Sequence, residues 1–346
     1  KPLMAESIIQ KFNHLKVHSQ YSICEGAINI DALKDYSKEN KIKSLGICDT
    51  SNLCGALEFA EKISKIGTQP IIGTQINFKF EDTIGLLPVF ALNEKGYKRI
   101  IKLSSFSFLK NDELSDPLIN FDELLDKTEG VAIFSGTVFG LFGALFDKGK
   151  FTEINDLYKK LKSNYGDRFY IEIQRHGDQN ETAFEKFNLN KSLELEIPLI
   201  ATNETFYIDK SMHEAHDALI CIKNKTYIKE KNRVKLSNHH FFKSDIEIKE
   251  LFADLPEALE NNYNFPYRCS FKPSFSKPIL PNISSEQGGN ADDILKNDSL
   301  DGLNEKFNKY FNIKSENLSS NKDYLRYKDR LEHELRIIIE MKYSSY

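Results

Sequence analysis

The chain has 346 residues, 40% hydrophobic and 28% charged, with a formal net charge of -4, an ordinary balance for a protein able to bury a sizeable core. That charge gives no overall attraction to nucleic acid or membrane, and no apolar run approaches the ~18 residues of a membrane span. Its five cysteines, Cys24, Cys48, Cys54, Cys221 and Cys269, are odd in number and lack C-x-x-C spacing, which points to a reducing cytoplasm rather than a disulfide framework.

Near the start, NHLKVHSQYS (13–22) sets His14 and His18 around Lys16, ahead of the first helix. Compact runs rich in Ile, Val, Phe and Tyr then predict strands over 44–48, 70–78, 86–92, 130–135, 168–174 and 197–202. Between the first two, Leu53, Ala56, Leu57, Ala60 and Ile63 fall on one helical face, with Gly67 as a stop signal. Residues 151–164 and 179–195 also read as helices, with Leu157, Leu161, Phe184, Phe187 and Leu193 as core contacts. Alternating strands and helices imply a largely parallel sheet covered by helices, either open or closed into a barrel.

After about residue 270 the character changes. The proline-rich FKPSFSKPILPNISSEQGGN (271–290) reads as a linker between a domain over 1–270 and a segment over 291–346. That segment carries helical patterns at 291–311 and 323–342, the second with Tyr324, Tyr327, Leu331, Leu335, Ile338 and Met341 on one face. It holds too little apolar surface for a self-sufficient domain and reads as the beginning of something longer.

Six polar residues lie beside predicted strand ends: His14, His18, Asp49, Gln75, His176 and Glu204. Imidazole and carboxylate are ligands of hydrolytic zinc, manganese and iron, which activate water and clamp phosphate. The pairs His213 with His216 and His239 with His240 read as packing or surface residues. There is no phosphate-binding G-x-x-x-x-G-K-[ST] loop, no G-x-S-x-G turn and no strong basic run.

HLKVHSQYS, LGICDTSNLCGALEFAEKISKIGTQPIIGTQINF, FYIEIQRHG, PLIATNETFY, HEAHDALICI and LFADLPEALENNYNFPYRCSF occur in that order. Together they resemble the alpha (polymerase) subunit of bacterial DNA polymerase III, in its PHP (polymerase and histidinol phosphatase) domain. The resemblance runs from about residue 12 to the end, where DRLEHELRIIIEMKYSSY is similar to the start of that family's palm. It implies an α/β fold, a distorted (βα)7-type barrel with a metal site at its strand ends, followed by a short, mostly helical segment that begins the palm.

Set against the family's metal-binding pattern, this chain departs at most ligand positions. Lys16 stands for the middle histidine of HLHxH, Thr50 for the histidine of TDH, Gln75 for a glutamate, Thr137 for a cysteine and Phe206 for the closing histidine. His18, Asp49 and His176 are kept, and Glu204 replaces an aspartate. The resemblance therefore implies no metal and no catalytic residue in this segment, with the Lys16 ammonium in the old metal hole, paired to Asp49 and to Glu204. It further implies Mg²⁺ only in a palm active site outside this chain. The implied partners are the proofreading exonuclease (epsilon) subunit, other replicase subunits and primed DNA, with no membrane. Two other readings stay open here. One is an active metal-dependent phosphoesterase or 3′–5′ exonuclease using His18, Asp49 and His176. The other is a free-standing binding module.

Overall fold

Runs of β-branched and aromatic residues become strands, and each strand places alternate side chains on opposite faces. The computed structural model describes residues 11–110, 116–279, 289–313 and 315–346. The chain divides into two units, Lys1–Phe275 and Ser276–Tyr346. Strands of the first unit are β1 (Lys16–Val17), β2 (Ser44–Thr50), β3 (Gln69–Phe80), β4 (Thr83–Ala91), β5 (Ile119–Asn120), β6 (Val131–Phe134), β7 (Phe169–Ile173), β8 (Leu199–Ala201) and β9 (Glu204–Thr205). Its helices are α1 (Ile30–Glu39), α2 (Ala56–Lys65), α3 (Glu94–Leu109), α4 (Leu141–Asp147), α5 (Phe151–Tyr165), α6 (Glu181–Leu195), α7 (His213–Lys223), α8 (Asp245–Leu251) and α9 (Pro256–Asn264).

The main sheet runs β2-β3-β4-β6-β7-β8, with β5 paired to β3. It is mixed, not largely parallel as the alternation of elements predicts. β4 is antiparallel to both β3 and β6. The cause is local: β3 ends at Phe80 and β4 starts at Thr83. Two intervening residues, with Glu81 at φ 53°, can turn a hairpin but cannot hold the crossover that parallel strands need.

The alternation of side chains separates two cores. Leu87, Val89, Val131, Ile133, Phe169 and Ile171 pack outward with Leu157, Leu161 and other helical residues. Cys48, Ile71, Phe90, Phe134, Tyr170 and Ile200, from six different strands, pack together inside the curl. Gly73 makes room there, since a Cβ on it would lie 2.5 Å from the Phe90 ring. The expected core residue Leu193 is instead 80% exposed. The buried face of α6 is Phe184, Asn188 and Ser192, and at 100° per residue Leu193 turns away from it.

A two-stranded parallel ladder, β1 with β9, lies between the sheet edges β2 and β8. On one side Gly46 N donates to His14 O at 2.8 Å. On the other, Asn262 Nδ2 donates to Asn13 O at 2.9 Å and to Ala201 O at 3.0 Å, while its Oδ1 accepts from Asn13 N at 2.8 Å. The result is a curled half-barrel of mixed strands with helices outside.

The second unit pairs α10 (Ala291–Phe311) and α11 (Lys322–Glu340) around buried Phe307, Leu318 and Tyr324. Of the predicted apolar face of α11, Tyr324 and Leu335 are buried, whereas Tyr327 and Met341 are exposed. Residues 271–279 of the predicted linker form no helix or strand, and 280–288 lie outside the described residues. Among the described residues, no helix is long and apolar enough to cross a membrane. All five cysteines are free.

Candidate functional site

Toward the C-terminal ends of the strands the barrel interior turns from apolar to polar. On β7, Tyr170 joins the apolar interior, so Glu172, two residues on, projects to the same side. On β3, Ile71 faces inward, and Gln75 shares its parity. The register of the small ladder sets Lys16 beside Glu204. These residues meet in a buried cluster. Lys16 Nζ lies 3.3 Å from Glu172 Oε1 and 3.5 Å from Glu204 Oε2, and its side chain has no exposure. Glu204 Oε1 accepts from His18 Nε2 at 2.8 Å and from Gln75 Nε2 at 2.7 Å. Glu172 Oε1 accepts from Thr202 Oγ1 at 2.5 Å and from Gln174 Nε2 at 3.1 Å.

Burial opposes every charge in this cluster, and the pairing decides which charges survive. For Lys16, burial would lower the pKa, but Glu172 and Glu204 outweigh it and hold the ammonium above the usual lysine value. Burial would likewise raise Glu204, yet Lys16 and the His18 hydrogen bond hold its carboxyl well below the ordinary value. At Glu172 burial wins over Lys16, and the pKa lies above normal. The cluster is therefore a Lys16–Glu204 ion pair with Glu172 as the carboxyl readier to hold a proton.

Asp49 is not a partner of Lys16, contrary to the expected ion pair. Leu45 and Ile47 of β2 pack outward with the α1 and α2 residues, and Asp49 shares their parity, whereas Cys48 faces inward. The Asp49 carboxylate instead accepts from Ser19 N, Ser19 Oγ and Ser22 Oγ, each at 2.7 Å. Ser22 Oγ also lies 3.0 Å from His18 Nδ1 and accepts from Thr50 N at 3.0 Å, which couples Asp49 to the cluster through a hydroxyl. Sequence reasoning missed Glu172, although a lone charge in the apolar run FYIEI was its signal. Nothing comparable marks Ser19 or Ser22.

The other candidates divide. Phe206 stacks on the His18 ring at 4.4 Å. Thr137, Gln75, Phe206 and Glu204 line one cavity of about 220 Å³ with His18 and Thr50. The Thr50 hydroxyl donates to Glu25 Oε2 at 2.6 Å. His176 Nε2 accepts from Glu204 N at 3.1 Å, and its ring stacks on His240 at 4.0 Å. Burial lowers the His176 pKa well below normal. His240 in turn contacts Glu204 O and Asp178 Oδ2, at 3.0 and 2.9 Å, while His216 Nε2 donates to Glu25 O at 2.7 Å. His14 does not join the cluster: its Nε2 meets Lys243 O at 3.0 Å and its ring packs edge-on against Phe12 and Phe242.

The donor atoms of His18 and Glu204 are thus spent on each other, on Gln75 and on Lys16. Among the described residues, no three His, Cys, Asp or Glu side chains are grouped to hold a metal ion. The residues present do not fit the divalent ion of the metal-binding pattern.

Residues 14–176 match the family model described as PHP domain. A DNA polymerase III subunit alpha from Caulobacter vibrioides is 33% identical over 99% of this chain and 30% of its own length. One from Rickettsia conorii is 36% identical over 97% of this chain and 28% of its own length. The chain thus spans under a third of those relatives. A solved two-domain protein from Bacteroides vulgatus, containing a predicted PHP-like metal-dependent phosphoesterase, superposes with a TM-score of 0.36 at 12% identity, covering 73% of this chain and 63% of that one; so slight a likeness carries no weight. This chain carries a PHP domain and, over nearly all its length, is homologous to proteins named DNA polymerase III subunit alpha.

Proposed function

We propose that the chain is the PHP region of a replicative polymerase alpha subunit, with template-directed DNA synthesis and its Mg²⁺ belonging to the longer protein. In this reading the segment is a metal-free, non-catalytic scaffold that docks the proofreading exonuclease (epsilon) subunit. The observation that carries it is the buried Lys16 ammonium between Glu172 and Glu204. At ~4 Å and an effective dielectric of about 20, a divalent ion beside that ammonium would meet roughly 8 kcal/mol of repulsion. The Lys16–Glu204 ion pair does the metal's structural work, drawing the strand ends together.

Three measurements test the reading. Elemental analysis of the purified chain should find zinc, manganese and iron well below one equivalent, and a chelator should leave the melting temperature unchanged. Calorimetric titration with the cognate exonuclease subunit should give a saturable complex. Stoichiometric metal whose removal lowers the melting temperature would overturn the metal-free part, and absence of a complex would overturn the docking part.

A further inference from the structure

From Lys223, the last residue of α7, to Lys235 the chain toward α8 carries six basic residues and one acidic residue, Glu230. Two of the six are committed: Lys223 pairs with Glu25, and Arg233 holds Asp217 through two hydrogen bonds of 2.6 Å. Lys225, Lys229, Lys231 and Lys235 are exposed and, among the described residues, form no ion pair with a carboxylate. Glu230, whose Oε1 accepts from the backbone N of Lys231 at 3.1 Å, forms no ion pair with them among the described residues and leaves the four lysines in excess. Among these lysines Tyr227 stands 82% exposed, with Ile228 beside it at 59%.

The loop is built rather than slack. Arg233 and Asp217 have side-chain exposures of only 6% and 12%, so their fork pins the loop to α7. Thr226 N donates to Cys221 O at 3.0 Å and Glu230 N to Tyr227 O at 3.0 Å. The base of the loop, through Lys223, Asn224 and Val234, forms a wall of the cavity that reaches His18 and Glu204. Long irregular connections in compact domains are commonly functional. This one carries exposed lysines on both sides, in sequence, of an exposed aromatic ring.

We propose that the 223–235 loop binds single-stranded nucleic acid, its lysines on phosphates and Tyr227 against a base. Lysine clusters attract any polyanion, but an exposed ring among them favours a ligand with unpaired bases, each of which offers a face to stack on. A duplex hides those faces, and an acidic peptide has none. The inference does not depend on exonuclease docking or on metal content.

The test follows fluorescence anisotropy of labelled oligothymidylate on the 346-residue chain across a salt series. Lys229→Ala/Lys231→Ala should weaken binding and flatten the slope of log affinity against log salt by about 1.4, at ~0.7 for each phosphate no longer neutralised. Tyr227→Ala should weaken binding roughly 5- to 150-fold and leave that slope unchanged. All substituted residues are exposed, and an unaltered melting temperature checks that each variant folds. Equal affinity of variants and parent would overturn the assignment. Equal competition by polyglutamate would reassign the loop to an acidic protein partner, and equal binding of duplex would remove the role of Tyr227.

Discussion

Removing the Lys16 ammonium would leave the Glu204 carboxylate buried without its cation, a loss that typically costs about 3–5 kcal/mol. Lys16→Ala should therefore shift the urea midpoint strongly, whereas an exposed lysine such as Lys38 should change stability by less than about 0.5 kcal/mol. Adding Glu204→Gln to Lys16→Ala should recover part of the loss, because the second change removes the stranded charge. A midpoint no lower than that of the Lys38 variant would show that the pair is worth nothing. Buried histidines make a second prediction. Burial lowers His14 and His216 from 6.5 to about 4, and lowers His176 well below normal. Their stabilising contribution is present above the unfolded pKa of 6.5 and is lost as pH falls toward the folded value, because only the unfolded chain takes up the protons. Between pH 6 and 5 each should contribute a slope of about 1.2 kcal/mol per unit. His14→Gln should reduce the measured pH dependence of stability by about one proton.

The small ladder and the β3–β4 hairpin govern the shape of the sheet in different ways. The hairpin is local, made by a two-residue turn. Placement of β1 near β8 depends on Asn262, which bonds to both backbone groups of Asn13 and to Ala201. Asn262→Ala leaves these buried groups unpaired, at about 1–3 kcal/mol for each that finds no water. Hydrogen exchange should then rise at Asn13 and the neighbouring β1 amides while β3 and β4 stay protected. Uniform acceleration across all strands would mean instead that Asn262 supports the whole barrel rather than its closure.

Each unit of the molecule has its own core, and the two differ greatly in depth. The first encloses extensive clusters inside and outside the sheet. The second buries Phe307, Leu318 and Tyr324 together and leaves Tyr310, Phe311 and Met341 exposed. A chain ending at Phe275 should retain one cooperative thermal transition close to that of the parent. Residues 276–346 alone should melt without cooperativity, since so small a core cannot offset chain entropy. Loss of cooperative melting from the 1–275 chain would show that the larger unit needs the smaller one to fold.

Six strands of the main sheet were legible because each is a compact, mostly apolar run, and so was the setting of Lys16 between His14 and His18, because HLKVH is contiguous. The mixed sheet was not: the charged stretch KFEDT concealed a continuous hairpin, and its charges look like loop when read singly. The unpaired lysines of the 223–235 loop escaped notice as a basic run because polar and apolar residues separate them. The partner of Lys16 was hidden for a deeper reason. Glu172 lies 156 positions away on a strand that never pairs with β1, and the nearer candidate Asp49 sits one residue from the inward-facing Cys48. Periodicity is carried by adjacent residues, but the carboxylate that meets a buried ammonium is chosen by the parity of distant strands, and a shift of one residue turns a side chain to the opposite face.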